Sequence, residues 1–141
     1  MSLTVKKVEL WRREVASRPG LLADVLGILA DAGANLEIAM AYRYPGNQSL
    51  GAIEVYPVSG RKRVAAAQAA GLQPLSLAAL RVDGTDRRGT GRAIARALAD
   101  GGLNISFLVT QVIGRKFTAI FGFDTEDDAV KASRIIKKVK V

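Results

Sequence analysis

Two short stretches of the chain carry residue types that could hold a small polar molecule. In "SRPGLL", Ser17, Arg18, Gly20, Leu21 and Leu22 stand where a loop enters a helix, and Asn35 with Leu36 follows that helix. The first N–H groups of a helix lack intrahelical partners and concentrate partial positive charge, so they suit a carboxylate. Gly20 lets a ligand approach the backbone, and the amide of Asn35 can donate to a carboxylate or accept from an ammonium. The same types in the same places also serve as plain structure: a glycine for a tight helix entry, an asparagine satisfying a nearby backbone group.

This arrangement occurs twice. Arg18, Gly20, Leu29, Ala30, Asp31, Gly33 and Asn35 reappear 69 residues later as Arg87, Gly89, Leu98, Ala99, Asp100, Gly102 and Asn104. Identities held without a gap through a helix and both its ends mark a duplicated unit. The second copy therefore offers a second candidate site at Asp86, Arg87, Gly89, Thr90, Asn104 and Ile105. It is more polar: Pro19 becomes Arg88, Leu21 becomes Thr90, Leu22 becomes Gly91 and Ser17 becomes Asp86. Asp86 would repel a carboxylate, Arg87 and Arg88 offset it, and Thr90 adds a hydroxyl. The first copy is the better carboxylate site.

Other chemistry has little to work with. The 141 residues contain no cysteine and no histidine. Disulfides, thiolate metal sites and the usual triads cannot be assembled without them, and the remaining lysines, tyrosines and carboxylates do not cluster at a recognisable spacing. The chain is read as non-catalytic, with no metal and no cofactor. The net charge of +8 divides as about +3 before Gly71 and +5 from it onward. Its densest runs, Lys131 to Lys140 and Arg61 to Arg63, read as solvated helix faces ahead of a phosphate-binding patch. No run of 18 apolar residues and no signal peptide is present, so a soluble, cytoplasmic protein without membrane contact is expected.

The elements that must position these residues follow from periodicity. Leu22, Val25, Leu26, Leu29 and Gly33 form one helical stripe, read as core, with Ser17 as N-cap, Pro19 in the first turn and Gly33 ending the helix. Strands are expected at Val8 to Val15, at Asn35 to Tyr44 and from Ser49, the last two joined by a turn at "YPGNQ". In the Asn35 to Tyr44 strand, Leu36, Ile38, Met40, Tyr42 and Tyr44 share one face, and Asn35, Glu37, Ala39, Ala41 and Arg43 the other; one of them is core. A second helix spans Arg61 to Gly71, and a short edge strand Leu72 to Leu75. The second copy repeats the plan: strand Leu77 to Asp83, helix Gly89 to Asp100 with Asp86 as a good cap, strands Asn104 to Val112 and Lys116 to Asp124, and helix Glu126 to Lys137 capped by Thr125 with acids in its first turn. It closes on "KVKV".

The fold class is α+β: two ferredoxin-like βαββαβ modules, at 1–72 and 73–141, with antiparallel sheets and helices on one side. Modules of roughly 70 residues are marginal alone, so packing against each other and homo-oligomerisation are expected.

"SRPGLLADVLGILADAGANLEIAMAY" (Ser17 to Tyr42) resembles the signature of the ACT domain, a small-molecule-binding regulatory module of amino-acid metabolism. The match falls on Ser17, Pro19, Gly20, Leu21, Leu22, Gly33, Asn35 and Leu36, and with the second copy it extends over nearly the whole chain. The resemblance implies a stand-alone tandem ACT protein that binds an amino acid at the helix-entry loop and module interface, signals by changed packing, and acts on a metabolic enzyme or regulator. A ligand-free protein-interaction subunit is the alternative. An RNA-binding module ranks behind both: "KFTAIFGF" places Phe117, Ala119, Phe121 and Phe123 on one face of a strand, but its neighbour "LAALRVD" has no aromatic to stack a second base.

Overall fold

The computed structural model describes residues 3–140. Its elements are β1 (Thr4–Val8), β2 (Trp11–Ala16), α1 (Leu21–Asp31), β3 (Ile38–Tyr44), β4 (Asn47–Tyr56), α2 (Arg61–Ala69), β5 (Gln73–Pro74), β6 (Ala78–Thr85), α3 (Thr90–Asp100), β7 (Phe107–Ile113), β8 (Lys116–Phe123) and α4 (Glu126–Lys137). They form two four-stranded antiparallel sheets, ordered β3-β4-β2-β5 and β1-β6-β8-β7. The α+β reading of two ferredoxin-like modules holds. Among the described residues no helix is long and apolar enough to cross a membrane.

The module boundary differs from a cut after residue 72. One unit is continuous, Glu9–Leu75; the other is split, combining the chain up to Val8 with everything from Ser76. β1 pairs antiparallel with β6, so the first strand of the sequence completes the second sheet. The ends of the two late helices show why. After α2, Gly71 takes a positive φ of +82° and turns the chain back, so that Gln73 and Pro74 pair with β2. After α4 no glycine follows, Lys138 stays in the right-handed region, Val139 packs against the core, and residues 138–140 of the closing "KVKV" form no strand, Val141 lying outside the described residues. The edge beside β6 is thereby left to β1, whose Leu3 flank and Val8 are 5% and 2% exposed, with Lys7 paired to Glu126 of α4.

Each unit has its own core. In the continuous unit Trp11, Val15, Ile53 and Val55 of the sheet meet Leu21, Val25 and Leu29 of α1 and Ala67 of α2. The buried helix stripe is thus Leu21, Val25 and Leu29, four residues apart; Leu22, read as core, is 40% exposed. In the split unit Leu80, Val82, Phe117, Phe121 and Phe123 meet Ile94, Leu98, Ala132 and Ile136. The phenylalanines of β8 therefore lie under the helices and are at most 5% exposed, which removes them as base-stacking surface.

The helix entries also differ in detail. Neither Ser17 nor Asp86 caps a helix. Gly20 and Gly89 hold the capping positions with φ near +85° and +86° and no side-chain cap, a left-handed conformation that glycine adopts without strain. Ser17 and Asp86 instead donate their main-chain N–H to the carbonyls of Ser49 and Arg115, tying each entry loop to the neighbouring hairpin. Thr125 caps α4 as expected, accepting from the Asp128 N–H at 3.0 Å, with Glu126, Asp127 and Asp128 in the first turn.

Candidate functional site

The continuous unit contains a pocket of about 290 Å³ at the N-terminal end of α1. That volume lies at the lower edge of the roughly 300–1,000 Å³ usual for small-molecule sites, so its occupant is small. The entry loop contributes Ser17 and Arg18, α1 contributes Leu21 and Leu22, β2 contributes Val15, and the hairpin β3–β4 contributes residues 41–43 and 51–53.

The hairpin opens this pocket through an irregularity. Tyr44 pairs with Asn47, but Arg43 pairs with Gly51, so residues 48–50 bulge out of the β3–β4 pairing, Leu50 still facing Ala16 of β2. A Cβ on Gly51 would stand 2.3 Å from the Tyr42 carbonyl oxygen, and only glycine permits this approach of the two strands. In the split unit the ladder runs without a bulge, Ile113 opposite Lys116 and Val112 opposite Phe117. Phe117 stands at the register position of Gly51 and is 5% exposed. Where one copy has a buried ring, the other has bare main chain.

Strand alternation sorts the walls. Ala41 faces Ile53, and Arg43 faces Gly51, on the side of the sheet that α1 covers, whereas Tyr42 and Ala52 reach the pocket through main chain. The helix side of β3 is therefore Ala39, Ala41 and Arg43. Met40, Tyr42 and Tyr44 lie on the opposite side, where Tyr42 donates its hydroxyl to Glu54 Oε2 at 2.6 Å and Tyr44 bridges Arg12 and Glu14 at 2.6 and 2.7 Å. Burial, with the bond and charge of Glu54 next, pushes the Tyr42 phenol up to about 12. Contact with Glu14 raises that of Tyr44 as well.

Of the residues singled out from the sequence, Ser17, Arg18, Leu21 and Leu22 line the pocket. Gly20 does not; its role is the turn, and the Arg18 guanidinium covers it. Arg18 folds over the helix start, donating to Asp24 Oδ2 at 2.9 Å and to the Pro19 carbonyl at 3.2 Å. The Leu21 N–H is directed at the Arg18 carbonyl at a long 3.4 Å, and the helical ladder begins with the Asp24 N–H on the Gly20 carbonyl, so Leu22 and Ala23 precede it. Asn35 and Leu36 lie beyond the far end of α1, roughly 16 Å away for 11 residues at 1.5 Å each. Asn35 is exposed and Leu36 packs against the core.

At the second copy the fold uses the candidate groups itself. Thr90 is 2% exposed and donates its hydroxyl to the Arg87 carbonyl at 2.9 Å, and Ile105 packs on the core of the split unit. Gly89 makes the helix-entry turn, Asp86 and Arg87 are exposed, and Asn104, like Asn35, lies past the far helix end. Val15, Ala41, Arg43, Gly51 and Ile53 were not visible as site residues in the sequence. Their signal is the alignment of the two hairpins, which needs a three-residue gap and then sets Gly51 against Phe117.

No protein-family profile and no curated protein sequence matches the chain. Solved structures do. A protein of Bacteroides thetaiotaomicron superposes with a TM-score of 0.78 at 14% identity, covering 96% of this chain and 92% of that one. The ligand-free regulatory subunit of aspartate kinase from Thermus thermophilus gives 0.66 at 14% identity over 100% and 98% of the two chains, and that from Thermus flavus 0.62 at 16% over 96% and 95%. At such identities the likeness is one of fold. The fold these regulatory subunits share with this chain is a tandem of α+β modules with antiparallel sheets, in agreement with the fold that the ACT resemblance implies, and for the Thermus thermophilus subunit it extends over 100% of this chain.

Proposed function

We propose that this chain is a non-catalytic regulatory protein that binds an amino acid in the pocket of its continuous unit and passes the bound state to a partner protein. The observation that carries this reading is the pocket itself: it gathers Ser17, Arg18, Leu21 and Leu22, which the sequence alone had nominated, onto a fold shared with regulatory subunits of aspartate kinase. A ligand there touches α1, β2 and the β3–β4 hairpin at once, so binding favours one arrangement of these elements over others. A partner that reads that arrangement completes the coupling.

A thermal-shift screen of the full chain against the twenty amino acids tests the reading, because a ligand bound only by the folded state raises its melting temperature by mass action. At a concentration of 100 times the dissociation constant, the gain is roughly 2.7 kcal/mol. No shift with any amino acid would refute it.

A ligand-free interaction role draws on a different observation. Edge strand β7 exposes apolar side chains on both faces, with Leu108, Val109, Val112 and Ile113 between 44% and 66% exposed. An uncovered apolar edge of this kind suits pairing with another chain, a second copy included. Sedimentation velocity at micromolar concentration should show a species larger than 15.0 kDa, and Val109→Lys should return it to the monomer.

A further inference from the structure

Building on the reading of the pocket as an amino-acid site, we propose that it selects amino acids with apolar side chains and that Arg43 is the residue that holds the ligand carboxylate. The charge inventory of the walls is one-sided. Arg18 and Arg43 line the pocket, and no aspartate or glutamate does. The two arginines differ in availability. Arg18 is committed to Asp24 and to the Pro19 carbonyl. The Arg43 side chain is exposed and makes no hydrogen bond or ion pair among the described residues, and its place opposite Gly51 puts it on the pocket side of the sheet. A free guanidinium presents a planar fork that matches a carboxylate bidentately.

Apart from Ser17, the remaining side-chain walls are apolar: Val15, Leu21, Leu22, Ala41 and Ile53. A cationic ligand side chain would enter beside two guanidinium groups with no carboxylate to meet it. An anionic one would lose its hydration against aliphatic walls, with Arg18 already paired. Either loses free energy that an apolar side chain does not, since burying a charge without a partner is costly and burying methylenes is favourable. Ser17 and the main-chain carbonyls of the hairpin are the acceptors left for the ammonium group, and these are neutral.

Isothermal titration calorimetry of the full chain with leucine, phenylalanine, aspartate and lysine reads this selectivity. Leucine or phenylalanine should bind at least about tenfold more tightly than lysine and aspartate. Arg43→Ala should weaken the preferred ligand by about 10- to 100-fold, as removal of a charged hydrogen-bond donor does, with the thermal melt of the unliganded protein unchanged. Arg43→Lys should restore part of the loss, and Arg43→Gln serves if the alanine variant does not fold. Tightest binding of lysine or aspartate, or unaltered affinity in a folded Arg43 variant, overturns this inference while leaving the amino-acid site standing. Absence of binding by every amino acid overturns both.

Discussion

Tyr42 Oη donates to Glu54 Oε2 at 2.6 Å, a diagonal contact between β3 and β4 on the side of the sheet away from α1. Glu54 is 3% exposed, so the phenol serves a carboxylate that water does not reach. Tyr42→Phe should destabilise the protein by roughly 1–3 kcal/mol in chemical denaturation, the cost of leaving a buried acceptor without its donor.

The same contact has a signature in pH. Burial and Glu54 raise the phenol from 10.0 to about 12 in the folded protein, so the neutral form is favoured there. The stability it contributes is fully present below pH 10 and is lost as pH rises through about 12. Ultraviolet titration should show Tyr42 and Tyr44 ionising late, and Glu54→Gln should bring Tyr42 part of the way back, burial still acting.

Gly51 and Gly91 should respond to alanine in opposite directions. At 51 the new methyl meets the Tyr42 carbonyl at 2.3 Å, and the strain should cost about 1–3 kcal/mol. At 91, in the first turn of α3, nothing lies within 4 Å and φ is not positive, so alanine should add up to about 1 kcal/mol of stability. Thermal denaturation of the two variants measures both.

Asn35→Ala should leave ligand affinity unchanged, whereas Leu22→Asp should abolish binding without unfolding the protein, because Leu22 is 40% exposed at the pocket wall. Calorimetry on the pair separates a ligand seated at the start of α1 from one that also engages its far end.

Deleting residues 1–8 should unfold the split unit and not merely trim a terminus. The deletion removes buried Leu3 and Val8 and strips β6 of one of its two antiparallel partners, leaving only β8. Hydrogen exchange should show protection lost first in β6 and β8. Retained protection there would mean that β1 is dispensable.

The duplication, the helices, most strands and the glycines at the helix entries were legible in the sequence, because each depends on neighbours a few residues away. Periodicity and turn chemistry are local, and Gly20, Gly33, Gly89 and Gly102 do take the positive φ that such positions demand. Tertiary structure alone decided three things. It gave β1 to the second sheet, since strand pairing joins residues more than 70 positions apart and depends on which edge is vacant. It chose the side of β3 that meets α1: period-2 alternation defines two faces but not which one the helix covers, and here it is Ala39, Ala41 and Arg43. And it placed Arg43, Gly51 and Ile53 in one pocket with Ser17 and Leu22, because a three-residue bulge resets the register of the hairpin, and a register is a relation between strands that neither strand carries by itself.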